Sequence, residues 1–378
     1  MIEIKKTEAQ LEQELQTWLE AICPLDKQRM DEARARQEKL AKPPGSLGKL
    51  EDISVRLAGI TGKLHNKTDR CRIIVLCSDN GVVAEGVACA PQSVTLAQTL
   101  NLTRGMTGAS CLAHHFGDEI VVVDMGVNAE VPDPKVLDRK IAYGTRNLYR
   151  EPAMTRQQAL QAILIGAGLA AQAAADGVDA VGVGEMGIGN TTTSSAVLCA
   201  LTGAAVEAVT GRGGGINDAG FLRKKQVIQQ ALDLHQPRAE DPVDVLSKVG
   251  GFDLCAMCGV FLGCARHRIP VVIDGFISVV AALCAARLAG AARHYFFTSH
   301  ASYEIGYQIA VKELGMEPWL LLDMRLGEGS GCPLAFRVME AACAVLNEMA
   351  TFEEAAINDH YLEEIRAKDS FTVERTRP

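Results

Sequence analysis

The sequence has no apolar run near the ~20 continuous residues that a bilayer-spanning helix needs. Its longest apolar tracts, around residues 163–171 and 277–286, are short and alanine-rich, so no membrane span is expected. The opening residues, Met1-Ile2-Glu3-Ile4-Lys5-Lys6, lack the apolar core and small-residue cleavage site of a secretory leader, and a cytoplasmic location is expected. Positive charge is also in short supply. The 378 residues carry 38 Lys and Arg against 46 Asp and Glu, a net charge of −8. Binding to a phosphate backbone requires a basic surface, so a nucleic-acid partner is not expected and small molecules are. Nor is there a disulfide framework: the 12 cysteines are scattered, with Cys77, Cys111, Cys199, Cys264, Cys284 and Cys343 in apolar segments where a thiol acts as a small hydrophobe. Cys255-Ala256-Met257-Cys258 has no second pair and no histidine at ligand spacing, and His114-His115 and His267 are isolated. No metal and no cofactor are expected.

What is present is a series of short apolar runs that end in polar or glycine residues and alternate with helical stretches. They lie at residues 72–77, 120–123, 180–183, 270–273, 294–297 and 319–322. Apolar runs without alternation suggest strands buried on both faces, and helices between them imply right-handed crossovers. The expectation is an α/β fold with a parallel sheet of about six strands flanked by helices. Polar residues recur at the C-terminal ends of those strands, where ligands bind in open α/β sheets.

Both ends of the chain fall outside this pattern. Leu11, Leu15, Trp18, Leu19 and Ile22 recur at helical spacing, and residues 335–350 are helical and apolar nearly all round. A small helical domain from residues 1–60 and 335–378 is therefore expected beside an α/β catalytic domain over 61–334, with a frayed tail from 368. Between the N-terminal helices and the sheet, Lys42-Pro43-Pro44-Gly45-Ser46-Leu47-Gly48-Lys49 reads either as a linker or as a rigid loop carrying Ser46 or Lys49 over an active site.

Three motifs carry chemistry. Residues 182–195 hold four glycines followed by Asn190, Thr191, Thr192, Thr193, Ser194 and Ser195 at the start of a helix. Glycine lets the backbone approach a ligand closely, and free N–H groups at a helix N-terminus attract anions, so this stretch is a phosphate cradle or else an ordinary strand-to-helix turn. Glu185 inside it suits a ribose hydroxyl or a cationic ring beside the phosphate. Gly182-x-Gly184-x-x-Gly187 formally matches a dinucleotide fingerprint, but Glu207, at the spacing of the acidic partner, ends no apolar strand; no Gly-Lys-Ser/Thr follows to make a P-loop. The second motif, Gly211-Arg212-Gly213-Gly214-Gly215, precedes Arg223-Lys224-Lys225 and reads as a flexible loop with cations closing over the same phosphate, or as a surface loop. In the third, Arg325-Leu326-Gly327-Glu328-Gly329-Ser330-Gly331, a carboxylate flanked by glycines follows an apolar run; apolar surroundings raise a carboxyl pKa toward that of a useful base, and Glu328 is the best candidate, with a turn glutamate of no catalytic role as the alternative. Asp253 and Asp274 suit loop anchoring, without assigned chemistry.

Together these pieces resemble the nicotinate-nucleotide:dimethylbenzimidazole phosphoribosyltransferase family, which builds the lower-ligand nucleotide of cobalamin. The resemblance runs in order through residues 42–51 (KPPGSLGKLE), 101–105 (NLTRG), 184–192 (GEMGIGNTT), 246–253 (LSKVGGFD), 274–276 (DGF) and 325–331 (RLGEGSG). It implies a Rossmann-like sheet, a homodimer with active sites near the subunit interface, Glu328 as general base and Glu185 in the active site. It further implies that Gly187, Ile188, Gly189, Asn190, Thr191, Gly213 and Lys224 hold the phosphate and ribose of nicotinate mononucleotide, and that Val94, Gln98 and Leu326 line the aromatic-base pocket. Asn80 and Ala90 fall near that pocket and depart from the best-known members, which have His and Ser there. The implied reaction transfers the phosphoribosyl group to 5,6-dimethylbenzimidazole. Another benzimidazole, adenine or a phenol as acceptor is the alternative within that chemistry; a non-catalytic nucleotide-binding subunit or a dinucleotide oxidoreductase are alternatives outside it.

Overall fold

The computed structural model describes residues 6–363; the tail from 368 expected to fray lies outside them. In chain order, helices α1 (Glu8–Glu20), α2 (Lys27–Lys39) and α3 (Lys49–Thr61) precede strand β1 (Cys71–Ser78). Helices α4 (Ser93–Thr103) and α5 (Gly108–Phe116) lead to β2 (Glu119–Gly126) and the short β3 (Leu137–Asp138). Helix α6 (Arg156–Ala175) returns the chain to β4 (Ala180–Met186), which is followed by α7 (Asn190–Thr202), α8 (Val206–Val209) and α9 (Asp218–His235). Then come α10 (Pro242–Val249), α11 (Phe252–Arg266), β5 (Val271–Ile273), α12 (Phe276–Leu288), β6 (Phe296–Thr298), α13 (Tyr307–Glu313) and α14 (Cys332–Glu348).

The strands form one sheet in the order β3-β2-β1-β4-β5-β6, and every pairing is parallel. Strand β1 is buried along its whole length, as its unbroken Ile-Ile-Val-Leu run requires. After β1 the chain builds outward on one side through β2 and β3, then crosses to the other side through β4, β5 and β6. The direction therefore reverses between β1 and β4, and the crevice at their C-terminal ends is where an open α/β sheet accepts a ligand.

Two expectations about strands need correction. Residues 319–322 form no strand; they make a single parallel bridge, His300 to Leu320. Leu321 is 83% exposed and Leu322 also faces solvent, so this apolar run is not covered on both sides as a central strand would be. The sixth strand is instead Leu137–Asp138, an edge element too short to leave a periodic signal. The run at 294–297 is shifted as well: residues Gly290–Tyr295 make a 3-10 turn and the strand is Phe296–Thr298.

Helix α6 is long and apolar enough to cross a membrane by length and composition alone, although it contains no unbroken apolar run of that length. Here half of it is buried, largely against α11. A Cβ on Gly166 would lie 1.9 Å from the carbonyl oxygen of Ala256, and one on Gly259 would lie 1.8 Å from that of Ile163. The two backbones touch at these glycines, behind the sheet strands that carry the site.

By its contacts the chain divides into two units, one comprising residues up to Cys23 with Arg70–Ala335 and the other Pro24–Asp69 with Phe336 onward. The expected helical domain took in residues 1–60; the first helix groups instead with the larger unit. Leu11 and Leu15 of α1 are buried, Glu12 pairs with Arg156 at 2.7 Å, and Trp18 stacks on Arg266 and meets His267 edge-on. In the helical unit, Ala33, Val55, Ala58 and Leu346 form the core, with Met30 and Leu64 packed against it. Its proline loop is clamped by Glu51, which accepts from Lys42 Nζ at 2.7 Å and from the Leu47 amide at 3.0 Å.

Candidate active site

A cavity of about 310 Å³ opens within the larger unit at the C-terminal ends of β4 and β5. It is walled by three segments far apart in sequence, residues 87–98, 185–191 and 325–328, together with the loop around Gly213 and residues after β5 and β6. Its size lies at the lower end of small-molecule sites.

The turn from β4 into α7 forms one end. Gly187 sits so close to β1 that a Cβ would lie 2.0 Å from the Ser78 carbonyl oxygen, and Gly189 adopts φ +93° with Val83 Cγ2 only 2.8 Å from the place of its Cβ. Glycine is needed at both, and the result is that Asn190 and Thr191 open α7 at the cavity wall. The Ile188 amide is already spent on Thr95 Oγ1, at 3.1 Å. Gly213, with φ +54°, approaches from the second glycine loop, where a Cβ would lie 2.9 Å from Thr191 Oγ1. Lys224 lies behind this wall, not in it. It is 1% exposed and donates to Thr191 Oγ1 at 2.8 Å and the Gly211 carbonyl at 3.1 Å, and burial lowers its pKa to about 8.

The other chemical group is Glu328, 5% exposed and held at φ +63° between Gly327 and Gly329, which are also left-handed at +87° and +83°. Its Oε1 accepts from Gln98 Nε2 at 3.4 Å, and its Oε2 accepts from the Ala109 amide at 3.3 Å. Ala109 is in the first turn of α5, so the carboxylate meets the positive end of a helix dipole. Glu185, on β4, also lines the cavity, but its carboxylate is turned into the protein, accepting from Asn190 Nδ2 and from the Glu328 amide. Burial, then the neighbouring Asp253 and Asp274, push its pKa well above the usual carboxyl range.

Ala90, Val94 and Leu326 give the cavity an apolar wall beside Gln98. Asn80 is a correction to the expected base pocket: it is fully buried beneath the glycine turn, with Nδ2 directed to the Ile188 carbonyl at 3.5 Å, and it does not line the cavity. The remaining residues that the family resemblance implied for the site, Lys224 excepted, all do. Lining residues not singled out from the sequence include His300, Ser302 and Glu304, which follow β6. The only signal for them was the general rule that strand ends carry ligands. Among the described residues no group of three or more His, Cys, Asp or Glu side chains is placed to hold a metal ion. Cys255 and Cys258 are buried in α11 with their thiols pushed well above the usual range.

Comparison with known proteins places the chain in a family. A family model described as DBI_PRT, phosphoribosyltransferase, matches residues 22–357. The chain is 52% identical over 355 residues to the nicotinate-nucleotide–dimethylbenzimidazole phosphoribosyltransferase of Clostridium perfringens, covering 94% of this chain and 98% of that protein. It is 50% identical to the enzyme of the same name from Chloroflexus aggregans, over 89% of this chain and 96% of that one. The crystal structure of the Thermus thermophilus enzyme of that name superposes with a TM-score of 0.84 at 39% identity, covering 88% of this chain and 99% of that one. The family model covers most of the chain and the relatives align along nearly all of it: the protein belongs to the DBI_PRT phosphoribosyltransferase family.

Proposed function

We propose that the protein transfers the 5-phosphoribosyl group of nicotinate mononucleotide to 5,6-dimethylbenzimidazole, giving α-ribazole 5′-phosphate and nicotinate, with Glu328 as general base. The observation that carries this reading is a single cavity lined both by the start of α7, suited to a phosphate, and by a nearly buried carboxylate on a separate loop.

The chemistry needs little else. The pyridinium of nicotinate mononucleotide leaves as a neutral ring, so no general acid is required. The benzimidazole attacks as a neutral nucleophile and must lose its N–H proton, which Glu328 accepts; such a base contributes typically ~10²–10⁴-fold. Attack on the anomeric carbon opposite the leaving ring is a single displacement and inverts the centre. The charge of the oxocarbenium-like state falls to Glu328, because a carboxyl pushed toward its neutral form, as Glu185 is, suits a hydrogen bond to a ribose hydroxyl better than ionic stabilisation. Lys224 supplies charge to the phosphate through Thr191 and the glycine loop it holds. The apolar wall of Ala90, Val94 and Leu326 suits a flat, weakly polar base.

Two further parts of the reading concern assembly and location. Tyr303, Ile305, Leu321 and Leu322 are exposed apolar residues on segments joined by the Tyr303 amide to the Met324 carbonyl, which supports a homodimer covering that face. All 12 cysteines are free, which fits a reducing compartment such as the cytoplasm.

The test is to give purified protein nicotinate mononucleotide with dimethylbenzimidazole, another benzimidazole, adenine and a phenol, and to follow released nicotinate. Release with dimethylbenzimidazole at the highest kcat/KM is expected. Preference for a different base would overturn the acceptor assignment, and no release with any of them would overturn the transferase.

A further inference from the structure

The turn that presents Glu328 is unusual in having three successive residues in the left-handed region, the central one not a glycine. Such a conformation persists only where the surroundings over-determine it. The carboxylate end of Glu328 does little to fix it, since its two hydrogen bonds, from Gln98 and Ala109, are long at 3.4 and 3.3 Å. What grips the turn is behind it.

Asp274, immediately after β5, is buried and does not line the cavity. Its Oδ2 accepts the Gly329 amide at 3.1 Å and its Oδ1 accepts the Gly331 amide at 2.7 Å, so one carboxylate spans both sides of Ser330. Asp274 is itself anchored: its amide donates to Ser278 Oγ at 3.2 Å, and its carbonyl accepts from Ser299 Oγ at 3.0 Å. Space on the far side is closed, since a Cβ on Gly184 would lie 2.4 Å from the Glu328 carbonyl oxygen and one on Gly329 would lie 2.8 Å from Ile73 Cγ2. The turn is thus pressed against β1 and β4 and held there by a carboxylate from the end of β5.

We propose that Asp274 is a positioning residue for the reaction: by gripping the Gly329 and Gly331 amides it holds the left-handed turn that aims the Glu328 carboxylate into the cavity. The inference rests on Glu328 being the proton acceptor. It assigns to Asp274 no contact with substrate, and it makes a definite statement about chemistry. Asparagine at 274 keeps the shape but turns an NH2 group toward one of the two amides, a donor facing a donor. The turn then loosens while the phosphate end is untouched.

The experiment compares wild type with Asp274→Asn, Asp274→Ser, Glu328→Gln and Asp274→Asn/Glu328→Gln, measuring kcat, KM and direct binding of nicotinate mononucleotide. Asp274→Asn is expected to lower kcat by roughly 10²-fold, as a misplaced catalytic group does, with nicotinate mononucleotide binding within about twofold of wild type. Because Asp274 acts through Glu328, adding Asp274→Asn to Glu328→Gln is expected to change kcat by less than about threefold. Multiplying losses in the double variant would overturn the proposal, as would loss of nicotinate mononucleotide binding in both single variants at 274, which would make the residue a structural support. A fully active Glu328→Gln would instead overturn the general base itself, so the two failures are distinguishable.

Discussion

At the β4 end of the cavity, glycines at 187 and 189 bring the main chain against β1 and leave the start of α7 facing the ligand space, with Lys224 reaching the same turn from behind. At the loop after residue 324, a carboxylate is carried on a left-handed turn and braced by Glu185 on β4 and Asp274 just after β5. The glycine turn of the first region is one continuous stretch, residues 187–191, and on the proposed mechanism it holds a group that is never altered in the reaction. The second is built from residues 55 and more apart and, on the proposed mechanism, carries the group that takes the proton. The difference suggests a division of labour: the glycine turn sets how tightly the donor is held, and the braced carboxylate sets how fast it reacts.

That division is easiest to break where the effect is largest. Glu328→Gln is expected to lower kcat by ~10²–10⁴-fold while leaving KM for nicotinate mononucleotide nearly unchanged, because it removes a group used only as the proton moves. Steady-state kinetics at saturating base would read this directly, and a rise in KM of similar size would merge the two regions into one.

Lys224→Met probes the other side: it removes the charge-assisted hydrogen bonds to Thr191 and the Gly211 carbonyl that hold the glycine turn, worth ~1.5–3 kcal/mol, and should raise KM for nicotinate mononucleotide by roughly 10²-fold with kcat little changed. The same lysine gives a pH signature. Burial lowers its pKa to about 8, so in the free enzyme the cation is present below that pH and lost above it. kcat/KM for nicotinate mononucleotide should therefore decline above about pH 8, and the decline should be absent in Lys224→Met. A limb that survives the substitution belongs to some other group. Gln98→Ala is the smallest change: it removes a 3.4 Å contact to Glu328 and should lower kcat only a few-fold, which measurement beside Glu328→Gln would resolve.

How much of this the sequence disclosed follows the same line. The parallel sheet was legible because β1, β2 and β4 are long apolar runs whose burial is written into their composition. The glycine turn was legible for a related reason, since a strand, four glycines and a helix start occupy one continuous stretch. Residues 319–322 misled because their exposure depends on what the rest of the chain leaves uncovered, and no local pattern reports that. Asn80 misled similarly: it follows β1 at the expected strand end, but the glycine turn folds over it. Asp274 stood out in a motif without a role because its partners, Gly329 and Gly331, come from a later strand connection. His300, Ser302 and Glu304 went unnamed because polar residues after a strand are common, and only the folded sheet brings these to the cavity.

The most direct test of the division between the two regions is to measure kcat and KM for nicotinate mononucleotide side by side in Glu328→Gln and Lys224→Met. The account predicts opposite signatures, kcat falling at constant KM in the first and KM rising at constant kcat in the second. If both variants move the same constant, the phosphate turn and the braced carboxylate act as one unit and the account is wrong.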